Sequence, residues 1–290
     1  MSMMEVVEMR KPNIETGIGH SSKGNQLKWE QDGWWYKADA FGFESLAEVV
    51  VSHLLLQSSI PETVVYEPVV IRYQGKEYRG CRSRNFRGEQ EELIPLERLA
   101  RSYSSFGLAK QMARMTDARA RVAYAGELVH NVTGMEGFGI YLAKLLEIDA
   151  FFLNEDRHTN NIALLYNNET KEYRVCPFFD MGLSLFSDTK EAYPMGTDFM
   201  ERRERIEAKP FHRDFDEQLD AAEALFGCYL KFGFPQRKIT RVVDELKKEY
   251  LLTDEDVQTG RKDGYTKEEF DRVEETLRYQ AGKYLYMFEE

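Results

Sequence analysis

Hydrophobic and polar positions divide the chain into a β-patterned first third and a helix-patterned remainder. Residues 26–30 (QLKWE) and 34–38 (WWYKA) flank Asp32-Gly33, a dipeptide suited to the positive-φ turn of a tight hairpin. Over residues 43–57 the spacing becomes helical, with Leu46, Val49, Val50, His53 and Leu54 on one stripe, and Pro61 ends the helix. Two β-rich runs follow at 64–73 and 77–83, separated by Gln74-Gly75-Lys76. Residues 84–92 (RNFRGEQEE) are polar and contain Gly88, which predicts a lobe boundary there. The expected division is residues 1–87 and residues 88–290.

Beyond that boundary the pattern predicts helices over 96–103, 106–115, 117–130 and 135–153. A hairpin interrupts them, with strands at 162–166 and 172–177 and a turn at Asn167-Asn168-Glu169-Thr170. Residues 181–210 mix Gly, Pro, Ser and Asp with little periodicity and read as a long functional loop. From residue 211 on, the spacing predicts about three more helices. The fold class expected is α+β, a small β-rich N-lobe followed by a larger helical C-lobe.

Composition narrows the function. The 290 residues carry a net charge of -11, so neither nucleic acid nor an anionic lipid surface is expected as a partner. Cys81, Cys176 and Cys228 lie far apart with no C-x-x-C, which argues against zinc and fits a reducing cytoplasm. The N-terminus, MSMMEVVEMRKP, has glutamates where a signal peptide needs an apolar run. The longest apolar stretch, 49–56, is broken by Ser52 and His53 and is too short to span a bilayer. A cytoplasmic protein is expected.

The chemistry concentrates in residues 154–182, NEDRHTNNIALLYNNETKEYRVCPFFDMG. A helix delivers a loop carrying Asp156, and Asn161 directly precedes the first hairpin strand. Asp180 follows the second strand. Antiparallel pairing folds those two ends together, within roughly 10 Å at about 3.3 Å rise per residue. Carboxylate and amide oxygens suit magnesium, a hard cation, so Asn161 and Asp180 are candidate metal ligands. Asp156 can point at the same place without ligating, as a carboxylate that receives a proton from an attacking hydroxyl. The D-x-x-x-x-N spacing followed by D-x-G is the one protein kinases use. His158 reads as a hydrogen-bonded residue orienting the loop, and Arg157 as a partner of either phosphate or a carboxylate.

Such a site needs cations on the transferred phosphate. Lys37, mid-strand on the face of Trp35, is the candidate. Its partner is expected to be Glu44 or Glu48, one turn apart on the following helix, with Glu44 favoured because it lies nearest the strand end. Upstream, residues 20–25 (HSSKGN) lead into the first hairpin strand, and small residues there let backbone N–H groups approach phosphate.

The order SSKGNQLK, YKAD, FESLAE, DRHTNN and FFDMG resembles the HipA-like serine/threonine kinases and, more distantly, the phosphatidylinositol kinases, over about two-thirds of the chain. The resemblance implies a two-lobed kinase fold with ATP in the inter-lobe cleft. It makes Asp156 the catalytic aspartate, Asn161 and Asp180 the magnesium ligands and Lys37 the α/β-phosphate lysine. Ser22, Gly24 and Asn25 become phosphate contacts. HipA toxins carry a further N-terminal subdomain for antitoxin contact, and this chain starts almost at the phosphate loop, so a toxin–antitoxin role is not expected. Met181 stands where protein kinases have the DFG phenylalanine, so regulation by that ring does not carry over.

The leading expectation is an ATP- and magnesium-dependent kinase acting on a protein hydroxyl, its own included. Ser184, Ser187, Thr189, Tyr193 and Thr197, in the loop after Asp180, are candidate acceptors, as are Ser21 and Ser22. The alternatives are a small-molecule or lipid-headgroup kinase, and a nucleotide-binding regulator without turnover.

Overall fold

The structure, a computed structural model, describes residues 4–10 and 26–289. In chain order the first elements are β1 (Glu5–Glu8), β2 (Lys28–Gln31), β3 (Trp34–Ala38), α1 (Glu44–Leu55), β4 (Tyr66–Tyr73) and β5 (Lys76–Arg84). Then come β6 (Glu91–Pro95), α2 (Leu96–Tyr103), α3 (Leu108–Met112), α4 (Ala118–Thr133), α5 (Phe138–Phe152), β7 (Ala163–Asn167) and β8 (Tyr173–Val175). The last part holds α6 (Phe199–Arg205), α7 (Phe215–Phe226), β9 (Phe232–Pro235), α8 (Arg241–Tyr250), α9 (Asp254–Gln258), α10 (Lys267–Lys283) and β10 (Phe288–Glu289). Among the described residues no helix is long and apolar enough to cross a membrane.

The chain forms two compact units. The first combines the residues up to Asn85 with Asp180–Ile206 and Lys231–Glu290; the second combines Phe86–Phe179 with Glu207–Leu230. The first crossing falls at the polar stretch read as a boundary. Residues 88–290, however, do not form one unit, because the chain returns to the first unit at Asp180 and again at Lys231. A pattern read along the sequence cannot show such a return, since contacts between distant segments decide it.

In the first unit a five-stranded sheet runs β1-β4-β5-β3-β2. Asp32 (φ 53°) and Gly33 (φ 77°) make the left-handed turn their residue types favour. They set Gln31 opposite Trp34 and, three pairs on, Lys28 opposite Lys37. Gln74 (φ 51°) and Gly75 (φ 75°) close the β4–β5 hairpin in the same way. Alternation along β3 sends Tyr36 and Ala38 into a buried cluster with Trp29, Val69 and Ile71, and leaves Trp35 and Lys37 on the opposite face. The sheet needs a glycine at position 80, because a Cβ there would lie 2.4 Å from the Lys37 carbonyl oxygen. β1 was not foreseen; it is a four-residue edge strand pairing parallel with β4.

α1 departs from the one-stripe expectation. Every residue of the helix except His53 is buried, so the expected stripe is instead a helix packed on all sides, with His53 its least covered position. Its N-terminus is held by Asp39, whose Oδ1 accepts the Ser45 N–H at 2.7 Å and whose Oδ2 accepts the Ser45 hydroxyl at 2.9 Å. Asp39 also takes Arg79 Nε at 2.7 Å, and the other Arg79 nitrogens reach Glu269 on α10 at 2.7 and 2.8 Å. One partly buried guanidinium thus ties the sheet, the start of α1 and α10 together.

In the second unit α5 packs on α4 and α7. α4 starts at Asp117, whose side chain accepts the Ala120 N–H, and ends at Gly134 (φ 70°). The predicted hairpin is present as β7 and β8, with Leu164 opposite Val175 and Tyr166 opposite Tyr173. A third strand, β6, not foreseen, pairs with β7 and begins in the last two residues of the stretch read as polar. Leu93, Ala163, Leu165 and Cys176 form the core of this small sheet, with Phe86 and Phe179 packed against it.

Candidate active site

In the first unit the hairpin register and the all-round burial of α1 bring Lys37 onto Glu48. Lys37 Nζ donates to Glu48 Oε1 at 2.6 Å and to Asp180 Oδ1 at 2.7 Å, and lies 3.4 Å from the Tyr66 hydroxyl. The Glu48 side chain is 2% exposed, that of Lys37 12% and that of Asp180 19%. Burial alone would lower the lysine's pKa, but the Asp180 and Glu48 carboxylates override it and hold the ammonium well above its usual range. The second oxygen of Glu48 accepts the Met181 N–H at 2.9 Å. One carboxylate therefore fixes both the lysine and the backbone beside Asp180. Asp180 itself has φ 64°, a left-handed conformation uncommon outside glycine that aims its side chain at the lysine.

The preference for Glu44 as the partner of Lys37 is corrected. The Glu44 carboxylate accepts three backbone N–H groups, from Ala40 and Phe41 on Oε1 and from Gly42 on Oε2, at 2.6 to 2.9 Å. As the first residue of α1 it folds back over the chain entering the helix, and those donors occupy it. Glu48, one turn on, is the one that reaches the strand.

Sequence reasoning missed Lys28. It sits directly across from Lys37, and its Nζ lies 3.9 Å from Asp180 Oδ1. Like charges at opposing positions repel, so this pairing makes sense only with the carboxylate between them. Counting outward from Asp32-Gly33 would have found it.

Ser22, Gly24 and Asn25, the expected phosphate contacts, lie outside the described residues.

In the second unit the loop carrying Asp156 is built from its own backbone. α5 ends at Leu153 (φ 57°), and Asn154 is held by the Asp149 carbonyl at 2.9 Å and by Asp149 Oδ1 at 2.9 Å. His158 N–H donates to the Asp156 carbonyl at 2.9 Å, and Asn161 N–H to the His158 carbonyl at 2.8 Å. The Thr159 hydroxyl donates to Glu97 of α2 at 3.0 Å. Asp156 is 7% exposed and Asn161 4%. The Asn161 side-chain nitrogen donates to the Asp156 carbonyl at 3.1 Å, so the amide oxygen is what remains to present to a ligand. An amide oxygen is a donor type that a magnesium ion takes, as is a carboxylate such as that of Asp180 in the first unit.

Arg157, left open between phosphate and carboxylate, pairs with a carboxylate. Its guanidinium meets Asp149 through Nε and Nη2 at 2.9 to 3.2 Å. Nη1 donates to the carbonyls of Asn161 at 3.1 Å and Phe179 at 3.0 Å. One side chain thereby clamps the chain entering the hairpin to the chain leaving it, one residue before Asp180.

His158 does not act as the hydrogen-bonded anchor expected of it. Both ring nitrogens are buried without a hydrogen-bond partner, and Nε2 lies 4.0 Å from Asp156 Oδ2. The residue's backbone, not its ring, orders the loop. On the other side of the carboxylate, Lys209 Nζ lies 3.8 Å from Asp156 Oδ1. Position 209 was read only as part of a long loop.

No family model matches the sequence, and no curated protein matches it. Among solved structures the chain is similar to that of the Helicobacter pylori proinflammatory kinase CtkA. The two share 17% identity over 97% of this chain and 95% of that one, with a TM-score of 0.60. An identity that low speaks to fold alone. The chain has a two-lobed, kinase-like α+β fold, with a sheet-rich N-terminal part and a mostly helical remainder.

Proposed function

We propose that this protein is an ATP- and magnesium-dependent kinase of the HipA-like serine/threonine type, acting on a protein hydroxyl. The observation that carries the proposal is Lys37 held between Glu48 and Asp180, three residues 11 and 143 positions apart in sequence. A lysine this largely withdrawn from water and set on two carboxylates is costly to assemble for stability alone. It is well suited to receiving a polyphosphate once a cation occupies the carboxylate.

In this reading Lys37 takes the phosphates and Lys28 adds a second positive charge. Glu48 keeps Lys37 in place, and Glu44 shapes the chain entering α1. Asn161 and Asp180 supply oxygen ligands to magnesium, which neutralises phosphate charge when bound. Asp156 orients the acceptor hydroxyl and takes up its proton as the oxygen bonds to phosphorus and the diphosphate departs. Ser22, Gly24 and Asn25 remain the proposed phosphate-loop contacts.

Among the acceptors within the chain, Ser184, Ser187 and Tyr193 are buried, whereas Thr189 and Thr197 are partly exposed. Among the described residues self-phosphorylation is therefore assigned to those two threonines; Ser21 and Ser22, the other candidates, lie outside the described residues. A cytoplasmic setting belongs to the same proposal and is supported by three cysteines, none of them in a disulfide.

The test is incubation with labelled ATP and magnesium, comparing wild type with Asp156→Ala and Asp180→Ala. Label in the wild type alone is expected; equal incorporation in all three proteins removes the assignment.

A further inference from the structure

Asp156 stands between two cationic or potentially cationic side chains, and only one of them was within reach of the motif. His158 comes from the same loop. Lys209 lies 53 positions after Asp156 in the chain, and its Nζ is 3.8 Å from Asp156 Oδ1.

The segment that presents Lys209 is built rather than loose. Ala208 N–H donates to the Arg213 carbonyl at 2.7 Å, and Phe211 N–H to Gln218 Oε1 at 2.9 Å. Arg121 Nη1 donates to the Phe211 carbonyl at 2.8 Å, and the Phe211 ring is fully buried. Lys209 is thus pinned by backbone bonds on both sides, while its own side chain stays 41% exposed. A lysine free to reach solvent gains little from a surface ion pair. Directing it at a carboxylate that is 7% exposed serves the carboxylate.

We propose that Lys209 is a positioning residue for Asp156: its ammonium, 3.8 Å from Oδ1, restrains the orientation of the carboxylate that is to receive the acceptor proton. This rests on Asp156 being the carboxylate that receives the acceptor proton, as proposed above. A charge fixed beside one oxygen restricts rotation of the carboxylate, so the hydroxyl meets an oriented acceptor group. An arginine can fill the role, because it also places a fixed positive charge at that reach; methionine keeps the stem and removes the charge.

The experiment measures phosphate released to water and phosphate incorporated into the chain, with magnesium and ATP varied. It compares wild type, Lys209→Met, Lys209→Gln, Lys209→Arg and Asp156→Ala. Lys209→Met and Lys209→Gln are expected to lose about 10²-fold in kcat with KM for ATP unchanged. Lys209→Arg should recover most of that loss, and thermal melts should be unchanged throughout the Lys209 series. If Asp156→Ala is inactive while both neutral Lys209 variants keep wild-type kcat, the positioning role is overturned and the kinase reading stands. A loss in kcat that arginine does not restore also overturns it. If Asp156→Ala matches wild type, or the wild type neither labels itself nor releases phosphate, the kinase reading itself falls.

Discussion

Arg157 and Asp149 form an ion pair with both side chains at or below 1% exposure, Nε lying 2.9 Å from Oδ2. A charge pair this deep is worth less for its attraction than for what its loss leaves behind. Burial raises the Asp149 carboxyl's pKa, and the arginine opposes that shift. Arg157→Ala should therefore destabilise the protein by about 3–5 kcal/mol, because it strands a buried carboxylate and releases the Asn161 and Phe179 carbonyls. Urea unfolding followed by far-UV circular dichroism reads the loss. Arg157→Met combined with Asp149→Leu should recover much of it, and a double variant as unstable as Arg157→Ala would contradict this account.

Glu48 and Glu44 are one turn apart and predict opposite phenotypes. Glu48→Gln and Lys37→Met should lower phosphate transfer by about 10²–10³-fold, the usual scale for losing one preorganised charge contact. Glu44→Ala strips three backbone N–H groups of their acceptor and should instead cost about 1–3 kcal/mol of stability for each group left buried. Parallel activity assays and thermal melts separate the two. Equal activity losses for the Glu44 and Glu48 variants would show that the partner of Lys37 is misassigned.

The Asp39 carboxyl gives a pH dependence. Burial is the main cause of its shift; Arg79, shared with Glu269, opposes it and Glu44 adds to it, so the group is pushed up to about 7. In the unfolded chain it titrates near its ordinary value of about 3.9. Between those values the folded state binds more protons than the unfolded one, so this group's contribution to stability falls as pH rises from about 4 to about 7. Asp39→Asn should flatten that slope. Trp29, Trp34 and Trp35 all belong to the first unit, so urea unfolding read by tryptophan fluorescence reports on it. The wild-type-minus-variant difference should be larger at about pH 5 than at about pH 7.5; growth of the difference with pH would refute the assignment.

Chelation tests the proposed ligands. EDTA should abolish transfer and excess magnesium restore it. Asn161→Ala should raise the magnesium needed for half-maximal rate by more than about tenfold, since it removes the amide oxygen. A rate indifferent to chelator would exclude the metal role of Asn161 and Asp180.

Local chemistry made much of this legible in the sequence. Asp32-Gly33 and the glycine of Gln74-Gly75 signal hairpin turns because few residues other than Gly, Asn and Asp accept positive φ. The Asp156–Asn161 loop was readable because its spacing is a matter of neighbouring residues, and the backbone bonds from His158 and Asn161 close it locally. β6 was hidden because Glu91 and Glu92 mask a strand whose partner, β7, lies 68 to 76 positions away.

The amino-acid order alone determined the turns and most helices, and it singled out the acid, amide and lysine proposed for the chemistry, because each depends on a few adjacent residues. Only the tertiary structure decided that Glu48 and not Glu44 meets Lys37, that Lys28 stands opposite it, and that Lys209 reaches Asp156. Those choices hang on side-chain direction and on contacts between distant segments, where a shift of one helical turn or one strand position exchanges one partner for another.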